Sequence, residues 1–514
     1  MRTRQYSALL AVLLVLAGLT AGGRAQTSKR RPLAPAPAGW KQAAYIKASN
    51  PGEGNQFGYA VALSGDGSTL AVGAHMEDSG ARGINGNQAD HSVFSAGAVY
   101  VFARSAIGGW SQQAYVKASN PRADDQFGFA VALSADGNTL AVSAPYEDSG
   151  ANGINGNQTD KSMADAGAVY VFARSGSTWS QQAYVKASNT GEKDEGDQFG
   201  YSIALSGDGN TLAVGAIGED SNATGVNGDQ ANNAANGSGA VYLFTRSGST
   251  WSQHAYVKSS NTRPNVMFGY SVAMNANGDT LAVGEFDADR GRGALYTFAR
   301  NDGNWSQQAR LQPGLLSPQD SMGCWVAISD DGNTVMAGAL DEDSLTTGIN
   351  AVQGGHSGIV DGPDDNSSGA AFGFVRTGTT WSEQANFKAS NSGKHDWFGV
   401  RLALSGDGNT LAVGAPNEDS AGQGINGKQD DDSADEAGAA YVYTRSSATW
   451  TFRDYMKGAK NAKFDEFGSA VALNRDGRVL AVGAHFESGG ARGVNGNQSD
   501  KPIPRSGAVY VFTR

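Results

Sequence analysis

Short apolar runs alternate with polar clusters along most of the chain, and within each run the alternation has a period of two. From Trp110 the sequence runs WSQQAYVKASN, then DQFGFAVALSADGNTLAVSAP, then a polar stretch, then GAVYVFAR. Runs rich in Val, Tyr, Phe and Ala, bounded by Gly, Asp, Asn and Ser, predict four short strands separated by turns. The cycle restarts at Trp40, Trp110, Trp179, Trp251, Trp305, Trp381 and Trp450, so seven copies account for the chain from Trp40 to Arg514. Such repetition predicts an array of like units rather than three ordinary domains. A four-stranded antiparallel unit is one blade of a propeller, and blades close around an axis in rings of typically about 4–8. The predicted fold is therefore all-β, a seven-bladed β-propeller of four-stranded antiparallel blades.

Side-chain size orders the strands within a blade. FGYAVALS, from Phe57 to Ser64, puts Gly58, Ala60 and Ala62 on one face, as a crowded axis requires, so it is expected innermost. TLAVGA follows as second strand and GAVYVF as third, with the Trp strand outermost. The outer strand carries Lys47, Lys117, Lys186, Lys258, Lys388 and Lys457 at one repeated position. Exposed charges there are expected to keep an edge from pairing with another chain. The first Trp strand then has no blade of its own. It is expected to pair beside Gly507 to Arg514, so that both chain ends build blade seven.

Composition adds a location and removes some partners. The 71 glycines suit a chain of many turns. A formal net charge of −11 argues against nucleic acid and anionic membranes as partners. Arg2 and Arg4, an apolar run from Ala8 to Leu19, and small residues at Gly23 and Ala25 predict a signal peptide over residues 1–25, cleaved between Ala25 and Gln26. Removing Arg2, Arg4 and Arg24 with it takes the charge from −11 to −14. Residues 26–39, QTSKRRPLAPAPAG, lack periodicity and are expected to form a disordered Pro/Ala-rich lead-in before the propeller of residues 40–514. No later stretch approaches about 20 apolar residues, so no membrane insertion is expected. The mature chain is expected to be secreted, extracellular or periplasmic, and monomeric. Cys324 stands alone, which excludes an intramolecular disulfide.

Phe57-Gly58 followed by Gly73-Ala74, then Phe127-Gly128, Phe199-Gly200 with Gly215-Ala216, Phe268-Gly269, Phe398-Gly399 with Gly414 to Pro416, and Phe467-Gly468 with Gly483-Ala484 resemble FG-GAP repeats. Such repeats form the seven-bladed head of integrin alpha subunits and occur in many secreted bacterial proteins. The resemblance covers essentially everything after Trp40, with departures at Met322-Gly323 in blade five and Gly284-Glu285 in blade four. It implies that the FG strand is innermost and that ligands bind on the loop-rich face. Integrin-type blades often hold calcium between the first two strands, through a pattern resembling D-x-[DN]-x-DG-x-x-D. Here that loop is LSGDGST, LSADGNT or ISDDGNT, with only one or two acidic residues, whereas calcium takes about 6–8 oxygens. Its Asp-Gly pair is expected to make a tight hairpin instead.

Connections between strands two and three are long in every blade but the fourth, and they emerge on the same face as the connections between blades. Glu77 to Asp90, EDSGARGINGNQAD, returns at Glu147 to Asp160 as EDSGANGINGNQTD. Glu77, Asp78, Asn85, Asn87 and Asp90, with Glu147, Asp148, Asn155, Asn157 and Asp160, are the candidate metal ligands, calcium being the ion their oxygens suit. The competing account is that Asn-Gly and Asp-Ser turns fix a solvated loop through bonds to their own backbone. Asn55, Asp125, Asp197, Asp320, Asp396 and Asp465, two residues before each FG position, are expected to cap the turn into the inner strand. The six histidines are scattered without metal-ligand spacing, Cys324 is expected to be a buried filler, and no nucleophile or carboxylate pair suggests catalysis. The expected function is a non-enzymatic, secreted or cell-surface binding or adhesion module that meets a protein or glycan through its loop-rich face. The alternatives are an ion-stabilised scaffold and a hydrolase at the mouth of the central channel.

Overall fold

The alternating runs form strands in the expected order. In blade one, Ala60–Leu63, Thr69–Ala74, Ala98–Arg104 and Trp110–Val116 make an antiparallel sheet. Ala60 lies opposite Gly73, Gly73 opposite Val99, and Val99 opposite Val116. The computed structural model describes residues 39–191, 196–352 and 366–514. The expected signal peptide and all but the last residue of the expected lead-in lie outside the described residues. Trp40–Arg514 forms one unit of seven such sheets. Among the described residues no helix is long and apolar enough to cross a membrane.

The turn between the first two strands is the tight hairpin that its Asp-Gly pair predicts. Ser64 Oγ donates to Asp66 Oδ1 at 2.6 Å, the same oxygen accepts from Ser68 N at 2.9 Å, and Gly67 takes a φ of 67°. Ser134 with Asp136, Ser206 with Asp208, Ser329 with Asp331 and Ser405 with Asp407 repeat the arrangement. Each of these aspartates is therefore occupied in holding its own turn.

Neighbouring blades pack face to face, and the core is divided into seven clusters between them. Phe57, Tyr100 and Phe102 of blade one, for example, pack against Val509 and Val511 of blade seven, with the Phe57 ring edge-on to Tyr100 at 5.3 Å. The FG and GAP glycines sit where two blades touch through their backbones. A Cβ on Gly58, whose φ is 98°, would lie 2.5 Å from Ala508 O, and one on Gly73 would fall onto Gly128 O of the next blade. Farther out, Trp179 Nε1 donates to Gln113 Oε1 of blade one at 2.9 Å, and Arg174 stacks on the same indole. Trp251, Trp381 and Trp450 make the same bond to Gln182, Gln308 and Gln384, so in these four copies the tryptophan is a clasp between blades.

The ring closes as expected. Lys41–Ile46 pairs antiparallel with Ala508–Thr513, Tyr45 opposite Tyr510, completing the blade begun by Phe467–Leu473 and Val479–Ala484. A circuit of backbone hydrogen bonds joins the tight turns. Gly65 N donates to Ala135 O and Ala135 N to Gly207 O, both at 2.8 Å, and the chain continues through Ala276, Asp330, Gly406 and Arg475. Arg475 N then returns to Gly65 O at 3.0 Å. Blade seven is therefore joined to blade one as each other pair is joined.

Candidate binding face and axial channel

The long second-to-third loop folds back along the outer strand of its own blade. Asn85 N donates to Tyr115 O at 2.7 Å, and Lys117 N donates to Gly83 O at 2.8 Å. Ile84 pairs with Val116 as an isolated bridge, and Asn85 Oδ1 accepts from Tyr115 N at 3.0 Å. Ile154, Val226, Ile425 and Val494 make the same bridge in blades two, three, six and seven, and in blade five Gly348–Ile349 is a short fifth strand. The φ of 56° at Asn85 suits asparagine. The Gly-Ile-Asn core of the recurring loop is thus a strap over the edge of the blade.

This strap overturns the expectation of exposed edge lysines. Lys47, Lys117, Lys186, Lys258, Lys388 and Lys457 are each 0 % exposed. Their Nζ atoms meet Glu487, Glu77, Glu147, Glu219, Glu342 and Glu418 at 2.5–2.9 Å. The end of the outer strand is not an edge, because the loop pairs with it and covers the side chain that follows. Burial pulls the Lys117 ammonium below its ordinary value, against the opposing pull of Glu77. Glu77 also accepts from Tyr115 Oη at 2.9 Å, Ser79 N at 3.1 Å and Asn50 Nδ2 at 3.0 Å. Asn50 arrives on the connection from blade seven and receives a bond from Tyr100 Oη, so Glu77 ties the loop to two blades.

The other candidate ligands are dispersed along the loop. Asp78 Oδ1 accepts from Ser95 N at 2.9 Å, and Asn87 Oδ1 from Ala89 N at 3.0 Å. Asp90 accepts from Gly80 N at 2.8 Å and Ser92 Oγ at 3.0 Å. In blade two Glu147 accepts from Lys186 and Asn120, Asp148 from Asp165 N, Asn155 from Tyr184 N, Asn157 from Thr159 N, and Asp160 from Ser162. Among the described residues no group of three or more Asp, Glu, His or Cys converges on one point. Calcium draws about 6–8 oxygens to one centre, and the residues present do not fit that demand. Cys324 is buried, and burial pushes its thiol up to about 12.

Four of the aspartates before the FG position cap their turns as expected. Asp125, Asp320, Asp396 and Asp465 accept from Arg122 N, Ser317 N, Gly393 N and Ala462 N at 2.6–2.9 Å. Burial raises the carboxyls of Asp125, Asp197, Asp320 and Asp396 to about 8, and that of Asp465 to about 7. For Asp125 the Glu147 carboxylate adds to the effect of burial.

Two features with binding character were missed in the sequence. On the loop-rich face Phe94, Trp397 and Phe464 are 67 %, 38 % and 52 % exposed. Ala164, Gln126 and Asp124 stand at the matching places in blade two. In the axial channel Trp325 and Arg401 replace the Ala60, Ala130, Ser202, Ser271 and Ala470 of other blades. Both are breaks in the repeat, and such breaks were the available signal.

Residues 40–102, 110–172, 179–244, 251–298 and 381–443 match the family described as FG-GAP repeat. No curated protein sequence matches the chain. Among solved structures, a putative 6-phosphogluconolactonase from Bacteroides uniformis ATCC 8492 aligns at 12 % identity and a TM-score of 0.44, over 79 % of this chain and 86 % of that one. The Cps50 (Swd1) β-propeller domain of Myceliophteria thermophila aligns at 10 % identity and 0.46, over 88 % and 96 %.

Proposed function

Because the chain belongs to the FG-GAP repeat family, we propose that it is an exported binding module that holds a protein or glycan against the loop-rich face of its propeller. The observation that carries this reading is the exposure of Phe94, Trp397 and Phe464 on that face, at positions where the repeat is broken. Aromatic side chains are enriched where proteins recognise partners, because they bury much area at little entropic cost. The second-to-third loops of that face are held by buried ion pairs, Glu77 with Lys117 and Glu147 with Lys186 among them, so little ordering of these loops remains to be done on binding. Export is supported by the charged and apolar pattern of residues 1–25.

The test is a paired surface substitution. Glycan and extracellular-protein arrays are probed with the wild-type chain, with a Phe94→Ser/Trp397→Ser/Phe464→Ser variant, and with Ile107→Ser. Ile107 is 97 % exposed in the tight turn between strands three and four, on the opposite face. The triple variant is expected to lose at least about tenfold in affinity, as aromatic anchors do when truncated, and Ile107→Ser to lose nothing. Binding that survives the triple variant, or fails only with Ile107→Ser, contradicts the proposal.

A further inference from the structure

The channel on the ring axis encloses a cavity of about 180 Å³, to which the inner strands of all seven blades contribute. Its wall is aromatic on one side. Tyr59, Phe129, Tyr201 and Tyr270 follow one another around the axis with ring centres 5.1–5.3 Å apart. Trp325 continues the wall, and Arg401 lies over its indole at 4.4 Å. Among the described residues Arg401 is the only charged side chain lining the cavity. It donates to Val400 O at 3.0 Å, and among the described residues no carboxylate lies within ion-pair distance of it. Four of its five N–H groups are thus left for something else.

The rings beside Tyr59 bring no opposing charge to the cavity. Burial raises the Tyr59 phenol to about 12 and lowers His75 and His485, which flank Tyr59, to about 3, so all three are neutral at ordinary pH. Glu466, beside His485 at 3.5 Å, is raised to about 7 by burial, and Arg401 is among the cations that pull it back down. A lone guanidinium in a chamber walled by aromatic rings presents a planar fork that matches one carboxylate. A dianion such as phosphate would keep a charge with no partner. The volume slightly exceeds the roughly 150 Å³ that accommodates benzene, which leaves room for one ring and its carboxylate.

We propose that the axial cavity is a binding site for a small planar carboxylate, its oxygens taken by Arg401 and its ring packed among Tyr59, Tyr201, Tyr270 and Trp325. Trp325 and Arg401 replace a small residue at the same position of the repeat, and both line this one cavity. The site uses inner-strand side chains only, so it stands or falls independently of the loop-face reading. Loss of array binding and loss of cavity binding are read on different variants.

Benzoate is the probe, with benzamide as its uncharged counterpart of nearly equal shape. Titration into the full chain is followed by tryptophan fluorescence and by ligand-observed saturation transfer. Benzoate is expected to saturate with a Kd of about 1 mM or tighter, and benzamide to bind at least about tenfold more weakly, as loss of a charge-assisted bond implies. Arg401→Gln is expected to weaken benzoate at least about tenfold and to leave benzamide unchanged, and Arg401→Lys to fall between. No saturable benzoate binding, equal affinity for benzamide, or undiminished benzoate binding by a folded Arg401→Gln chain overturns the proposal. Should Arg401→Gln fail to fold, the benzoate-to-benzamide ratio of the wild type decides.

Discussion

At the scale of single residues, the chain keeps several carboxyls where water cannot reach them. Asp125, Asp197, Asp320 and Asp396 have folded-state values of about 8, above the roughly 3.9 of an unfolded aspartate. A raised value means that the neutral form favours the fold. That contribution is complete below about pH 4 and is lost as pH rises through about 8, at up to about 1.4 kcal/mol per pH unit for each residue. Denaturation midpoints are therefore expected to fall between about pH 5 and pH 8. Asp125→Asn cannot ionise, so its midpoint relative to wild type should rise across that interval. A constant difference at both ends would show that Asp125 is already charged in the fold.

At the scale of the element, the strap is the unit that joins sequence to face. The lysine after the outer strand and the glutamate opening the loop are about 40 residues apart and meet inside the protein. A lysine at the end of an edge strand has the same sequence pattern whether water or a returning loop covers it, so its burial was not legible from one blade. Comparing blades would have revealed it. Blade four has the short connection, and there Gln312 and Ala288 stand where the others have Lys and Glu; the pair disappears together with its strap. Removing one partner of a buried pair leaves the other charge without compensation, at a cost of about 3–5 kcal/mol. Lys117→Met is expected to lower stability by about that amount in chemical denaturation, and Lys117→Met/Glu77→Gln to recover much of it. A double variant no better than the single one would mean that Glu77 owes its stabilising role to Tyr115 and Asn50 instead.

At the scale of the whole molecule, strand order, the tight hairpins and closure by the Trp40 strand were legible because they follow from local periodicity repeated seven times. Regularity also concealed the candidate sites. The recurring acidic loops are the most conspicuous pattern in the sequence, yet their polar groups are mostly spent on their own turns and on neighbouring strands. The positions that differ between blades, Phe94, Trp325, Trp397, Arg401 and Phe464, lie on the loop-rich face or in the channel. A ring built from near-copies holds its shape through what it repeats and can discriminate ligands only through what it does not. On this reading the recurring loops are integral straps of the blades. Amide hydrogen exchange, run in chelator and again in millimolar calcium, tests it directly. Gly83, Asn85, Gly97 and Lys117, each donating to backbone, are predicted to exchange as slowly as the strands beside them in both conditions. Exchange at the rate of an open loop in chelator, slowing only when calcium is added, would contradict the account.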